Sequence, residues 1–203
     1  MNAAAVILAA GSSSRLGQPK QLLKLHGQTL LDHAIRIAIN AGASPVYVVL
    51  GANAEAILAG SNFLNNVIST ERATRVEKPA FVLKIIENEN WQEGIASSIR
   101  AGVHAATGAE AILLMTCDQP AVTAEHLHLL LEAANQTSVT ASSYAGRVGI
   151  PAVFPPKYFE ELLQLRGDEG ARSLLNAKSK EIITIPLAEG ELDIDTPEDL
   201  AAL

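Results

Sequence analysis

The 203-residue chain has a single cysteine, Cys117. It can form no intramolecular disulfide, and thiolates alone cannot build a zinc site. Aromatic residues make up only 4% of the chain, so a core must be packed from Ala, Val, Ile and Leu. No apolar run approaches the roughly 18 residues of a membrane span. The apolar start, MNAAAVILAAG, lacks the basic segment that opens a secretory signal. Positive charge is in deficit: 15 Lys and Arg stand against 22 Asp and Glu, a formal net charge of −7. That excludes a surface built throughout for nucleic acid, which would present a basic face. It does not exclude a small anion held in a local basic pocket. A cytoplasmic protein is expected, with neither nucleic acid nor membrane as partner.

What is present points to a folded α/β domain. Hydrophobic residues reach 48% and charged residues 18%, outside the composition of disordered chains, and the length suits one domain. Ala3–Ala10 is a continuous apolar run closed by Gly11, the pattern of a strand buried on both faces. Val46–Leu50, Phe81–Ile86, Ala111–Met115 and Ile182–Ile185 read as further strands. Short strands at Val139–Tyr144 and Ala152–Phe154 flank Gly146 and Gly149. Helical spacing marks Thr29–Asn40, Ala54–Ala59, Ile95–Ala106, Glu125–Ala134, Pro156–Leu165 and Gly170–Ala177. Thr196 caps a closing helix at Pro197–Leu203. Residues 61–80 show no clear period. Strands alternating with helices predict a mostly parallel, Rossmann-like sheet with helices on both faces.

The strongest signal is the segment Leu8-Ala9-Ala10-Gly11-Ser12-Ser13-Ser14-Arg15-Leu16-Gly17-Gln18-Pro19-Lys20. It leaves the carboxyl end of the first strand, where open α/β sheets bind ligands. Gly11 and Gly17 permit tight turns, the serines add hydroxyls, and Arg15 and Lys20 bring positive charge to an acidic chain. The segment is a phosphate cradle. Gly17 is followed by Gln18 rather than Lys-Ser or Lys-Thr, so it is no P-loop. Position 13 is Ser, so it is no G-x-G-x-x-G dinucleotide loop.

Cys117-Asp118-Gln119-Pro120 places a second charged group at a strand end. A triphosphate needs a hard cation, and Mg²⁺ takes one or two carboxylates beside phosphate oxygens and water. Asp193 and Asp195, two apart on an extended segment, face one side. The five histidines are scattered and suggest no metal site. Cys117, in an apolar run, reads as a buried inert thiol. Trp91 reads as packing.

L-A-A-G-x-S-x-R-L-G-x-x-K resembles the signature loop of nucleotidyltransferases of the nucleoside-diphospho-sugar transferase fold. With GIASSIRAG, CDQP, GDEGAR and DIDTPEDL, the resemblance extends over residues 3–203 and runs to the molybdenum-cofactor members, above all the cytidylyltransferases. It implies transfer of CMP from CTP to a molybdopterin-type phosphate acceptor, with Mg²⁺ as cofactor and a transient contact with a molybdoenzyme. The nucleotide would meet Leu8, Ala9, Ala10, Gly11, Ser12, Ser14, Arg15 and Lys20, with Gly94, Ser97 and Ser98 on the base. Arg15, Lys20 and Asp118 would carry catalysis. Asp118 and Asp195 would hold the metal, with Asp193 as substitute. The acceptor would meet Arg147, Gly149, Pro151, Asp168 and Arg172, guanidinium being suited to phosphate. Ala10, where guanylyltransferases carry Gly, favours cytosine. On this reading residues 1–120 bind nucleotide and 121–203 the acceptor, in a single domain. The alternatives are GTP or another triphosphate, a sugar or alcohol phosphate as acceptor, or a non-catalytic carrier of the cofactor.

Overall fold

Seven consecutive buried residues, Ala3–Ala9, form strand β1 at the centre of the molecule. The computed structural model describes residues 2–65, 81–178, 181–196, 198 and 199. Along β1 the side chains alternate between two cores. Ala3, Ala5, Ile7 and Ala9 enter one, and Ala4, Val6 and Leu8 the other. This is why the run is apolar without a period: both faces are covered.

The remaining strands are β2 (Lys24–Leu25), β3 (Gln28–Thr29), β4 (Val46–Leu50), β5 (Leu83–Glu87), β6 (Ala111–Thr116), β7 (Thr140–Tyr144), β8 (Arg147–Phe154) and β9 (Ile183–Pro186). β2 and β3 form a small separate pair. The main sheet has the order β5-β4-β1-β6-β8-β7-β9. Its pairings are parallel except those made by β8, which runs antiparallel to β6 and β7. The expected architecture is therefore present, with one reversed strand.

Helices α1 (Leu30–Asn40), α2 (Ala54–Gly60), α3 (Ile95–Ala105), α4 (Ala124–Ala133), α5 (Phe159–Gln164) and α6 (Ala171–Ala177) cover the sheet. α1 buries Leu31, Ala34, Ile35, Ile37 and Ala38 in the first core with Leu127 and Leu130 of α4. α3, α5 and α6 close the second core with Ile99, Val103, Leu162 and Leu175. Thr29 caps α1 by accepting from the Asp32 amide at 3.0 Å. Thr123 caps α4 from the His126 amide at 3.1 Å.

The second half departs from the expectation in one place. The two short strands foreseen around Gly146 and Gly149 belong to a hairpin, with β8 starting at Arg147. Ala145 and Gly146 turn the chain at φ of 46° and 70°, the positive angles a two-residue type I′ turn needs. Ala141 pairs with Ala152 but Ser142 with Gly149, so Ile150 and Pro151 form a bulge. Pro151 sits where no ladder donor is required. The region expected to be unreadable, residues 61–80, lies mostly outside the described residues. Of the closing helix at Pro197–Leu203, the described Glu198 and Asp199 are helical.

No helix among the described residues is long and apolar enough to cross a membrane.

Candidate active site

β1 has β4 on one side and β6 on the other, so chain order reverses at its carboxyl end, where an open α/β sheet leaves a crevice. The Gly11–Pro19 loop leaves β1 there and Asp118 follows β6. The loop is shaped by a residue that sequence reasoning passed over. Gln21 is 1% exposed. Its amide donates to the carbonyls of Ala9 at 2.8 Å and Gly11 at 3.0 Å. Ser13, at a φ of 53°, closes the loop by accepting from the Lys20 amide at 2.9 Å. The other two loop serines stay exposed.

The loop thereby delivers Lys20 to the centre of the crevice. Its Nζ donates to Asp118 Oδ2 at 2.5 Å and to Asp195 Oδ1 at 2.7 Å. Arg15 NH1 lies 3.6 Å from Asp195 Oδ2. Burial lowers the affinity of Lys20 for its proton, but the adjacent Asp118 and Asp195 carboxylates outweigh it and hold the pKa above the ordinary lysine value. Lys20 is thus a fixed positive charge. Burial, with Asp118 and Asp195 adding negative charge, pushes the Asp193 carboxyl up to about 6. Burial pushes the Cys117 thiol up to about 12, in keeping with an inert thiol.

Three lobes meet at Lys20. The first, about 330 Å³, is lined by Leu8, Ala10, Gly11, Ser12, Trp91, Gln92, Gly94, Ile95, Ser98, Thr116, Asp118 and Asp168. The second, about 370 Å³, also reaches Lys20 and Asp118 and extends past Tyr144, Gly149, Ile150, Arg172, Asp193 and Asp195. The third, about 160 Å³, lies under Ser13, Ser14, Arg15 and Leu16, again beside Lys20 and Asp195.

Most of the expected residues come together here. Four stand elsewhere. The Ala9 side chain faces the opposite core, because neighbours on a strand alternate. Ser97 turns inward, donating to Gly94 O at 2.8 Å and accepting from Asn88 Nδ2 at 2.8 Å. Arg147 is exposed at the hairpin tip. Pro151 is buried, its carbonyl accepting from Ser142 Oγ. Asp168, expected beside the acceptor, lines the first lobe instead. Gly94 is the cause: at a φ of 120°, a Cβ there would sit 2.5 Å from Asp168 Oδ1. The bare glycine lets the 166–170 loop dock on the start of α3, where Gly167 O accepts from the Ala96 amide at 3.1 Å. Trp91 does pack, against Gly51, but it also forms a wall of the first lobe. Its place after a short turn gave no periodic signal.

Among the described residues, no group of three or more His, Cys, Asp or Glu gathers to hold a metal. Two carboxylates do converge on one cation. That donor set suits an ion completed by substrate oxygens and water rather than a closed protein cage.

An α/β sheet with a basic Gly/Ser loop and strand-end carboxylates around one crevice is the layout of a nucleotide-binding enzyme. The chain matches the MobA-like NTP transferase domain over residues 5–182 and belongs to that family, whose chemistry is nucleotidyl transfer. It is 32% identical to purine catabolism protein PucB of Bacillus subtilis, over 96% of this chain and 92% of that one. It is 31% identical to nicotine blue oxidoreductase of Paenarthrobacter nicotinovorans, over 98% and 94%. It is 26% identical to the molybdenum cofactor cytidylyltransferase of Escherichia coli, over 96% and 91%. Among solved structures, Rv0371c of Mycobacterium tuberculosis superposes with a TM-score of 0.79 at 28% identity, covering 100% of this chain and 97% of that one. A second structure of that protein is a complex with manganese, matching at a TM-score of 0.75 and 27% identity, over 100% and 98%.

Proposed function

We propose that the protein transfers CMP from CTP to the terminal phosphate of molybdopterin, forming the cytosine-dinucleotide cofactor and releasing pyrophosphate. The observation that carries this reading is the placement of Lys20 between Asp118 and Asp195 where the three lobes meet. Likeness to the Escherichia coli cytidylyltransferase supports the choice of nucleotide and acceptor.

The first lobe takes the cytidine, with Ser98 and Thr116 offering polar atoms beside Leu8, Ala10 and Trp91. The third takes the β- and γ-phosphates, under Arg15 and the loop amides. The second takes the acceptor. An acceptor phosphate oxygen attacks the α-phosphorus as the bond to the β-phosphate oxygen breaks, and pyrophosphate leaves in line. No covalent enzyme intermediate is required. Lys20 holds its charge against the α-phosphate, and the rigid loop orients the leaving group, so catalysis is positioning plus electrostatic stabilisation. Asp118 and Asp195 would hold Mg²⁺, which when bound neutralises charge on the triphosphate. Delivery of the product to a molybdoenzyme completes the reading.

Base choice is the finest part of the proposal. Cytosine offers a donor and an acceptor in the order that uracil reverses, and a purine is larger. Buried polar groups left unpaired by the wrong base cost about 1–3 kcal/mol each, roughly a decade in affinity. kcat/KM for CTP, UTP and GTP with one common acceptor is expected to favour CTP by about tenfold or more. Equal values, or GTP ahead, overturn the base assignment.

A further inference from the structure

The first and second lobes share a wall. Ile95 lines both, Asp168 lines the first, and Gly170 and Arg172 line the second. The wall is the junction of two segments distant in sequence, 91–95 and 165–172. Arg100 lines neither lobe, yet it ties these segments together. From α3 its guanidinium forks onto Glu93, NH1 donating to Oε1 at 2.9 Å and NH2 to Oε2 at 2.5 Å. NH1 also donates to Leu165 O at 2.7 Å. The Gly167 amide donates to the same Glu93 Oε1 at 3.3 Å, and Gly167 O accepts from the Ala96 amide at 3.1 Å. Hydrogen bonds from Arg100 and the Gly167 amide hold the Glu93 carboxyl below the usual carboxylate range. The Arg100 side chain is 20% exposed and that of Glu93 36%. A two-pronged pair with further backbone partners fixes an orientation that a single-contact surface pair does not. Trp91, the one tryptophan of the chain, stands two residues before Glu93 and walls the first lobe.

We propose that Arg100 is a positioning residue of the cleft. Through Glu93 and the Leu165 carbonyl it fixes the wall shared by the two lobes, and so sets how tightly the first lobe holds a nucleoside triphosphate. This rests on placing the nucleotide in the first lobe, and it adds a residue that acts there without touching the ligand. The reacting end does not depend on this clamp. Lys20 is held by Asp118 and Asp195, and the phosphate loop by Gln21. Loss of the clamp therefore loosens binding and spares the transfer step, an effect on KM rather than kcat. Removal of Arg100 strands no acceptor at Leu165, whose carbonyl also accepts from Arg166 NH1 at 2.8 Å.

The test uses the full chain with Arg100→Met, Glu93→Ala and the two combined. Glu161→Gln, which breaks the single-contact pair with Lys178, is the control. Hydrogen exchange read by mass spectrometry needs no ligand. Peptides covering residues 91–97 and 165–170 should exchange faster in the clamp variants, with β1 and β6 unchanged. Calorimetric titration with CTP and Mg²⁺ should give a Kd about tenfold weaker in each clamp variant, with the control at the wild-type value. In turnover, KM for CTP should rise with it while kcat stays within about threefold of wild type. The double variant should bind CTP no more weakly than the worse single one, because both break the same clamp. Arg100→Lys, which keeps the charge but not the fork, should fall between. Wild-type exchange and CTP affinity in Arg100→Met, additive losses in the double variant, or a fall in kcat at unchanged KM overturns the proposal. Trp91 fluorescence separates this failure from that of the nucleotide placement. CTP that leaves wild-type Trp91 emission unchanged overturns the placement, and with it the link to nucleotide affinity. CTP that perturbs Trp91 and binds every variant equally keeps the placement and overturns the clamp.

Discussion

The two ends of the cleft are assembled in opposite ways. The Arg15 end comes from one stretch, Leu8 to Lys20, shaped by contacts within itself and with Gln21. The Asp193 end draws on Gln119, Tyr144, Ile150, Arg172 and Asp193, which come from four separate segments. A site made by one loop leaves a motif in the sequence. A site made by packing distant segments leaves scattered residues whose roles depend on register and turn geometry. This is why Arg15, Lys20 and Asp118, expected from residue type and position, stand around one crevice, whereas Arg147 and Pro151, expected with Gly149 and Arg172, do not line the lobe those two share.

Variants on the two sides should separate, and the largest effect is expected where they meet. Lys20→Met removes the only side chain that hydrogen-bonds both carboxylates among the described residues. Turnover should fall by about 10²–10³, as for loss of a preorganised charge-stabilising group. Single-turnover rates against wild type measure this, with circular dichroism to show that the fold persists; a loss under tenfold would move the reaction centre elsewhere.

Asp118→Asn keeps size and removes charge. Its side chain is only 14% exposed, so little solvent can substitute for it. A loss of about 10² is expected, with a higher Mg²⁺ requirement in a metal titration. Normal turnover at the wild-type metal concentration would remove Asp118 from the metal site.

Arg15 is 74% exposed, so Arg15→Ala should leave the melting temperature unchanged. It should weaken triphosphate binding by about ten- to a hundredfold, the loss of one charge-assisted contact. Calorimetric titration with CTP, and separately with molybdopterin, sharpens the comparison: the first should change and the second should not.

The smallest effect lies outside the cleft. Burial holds His126 below the ordinary histidine pKa. Its Nε2 meets Ser142 Oγ at 2.8 Å while that hydroxyl donates to Pro151 O, so Nε2 carries the proton of the neutral ring. Because the unfolded state binds the extra proton more readily, stability is full above the unfolded pKa of about 6.5 and declines as pH falls below it. The change in urea midpoint between pH 7.5 and 5.5, measured in wild type and in His126→Gln, should be shifted towards greater relative stability at pH 5.5 by the substitution.

The strands and most helices were legible because apolar runs and helical spacing are local properties. The reversed β8 was not: nothing in Arg147–Phe154 records that Ile150 and Pro151 would bulge out of register. Nor was the buried Asp32, whose carboxylate ties α1 to Ser61 Oγ at 2.6 Å and to the Asn62 amide at 3.1 Å. In the cleft, the loop's charges could be read but not its brace. Gln21 looks like any polar residue before a hydrophobic pair until its amide is seen between two carbonyls. Asp168, expected with Arg172, lines the first lobe, because the docking of its loop on Gly94 depends on contacts across the chain.

The central claim is tested most directly by pyrophosphate release with each of the four ribonucleoside triphosphates and Mg²⁺, with and without molybdopterin. The account predicts release with CTP that depends on molybdopterin and yields one CMP-bearing product per pyrophosphate. Molybdopterin-independent release, or none with any triphosphate, would contradict it.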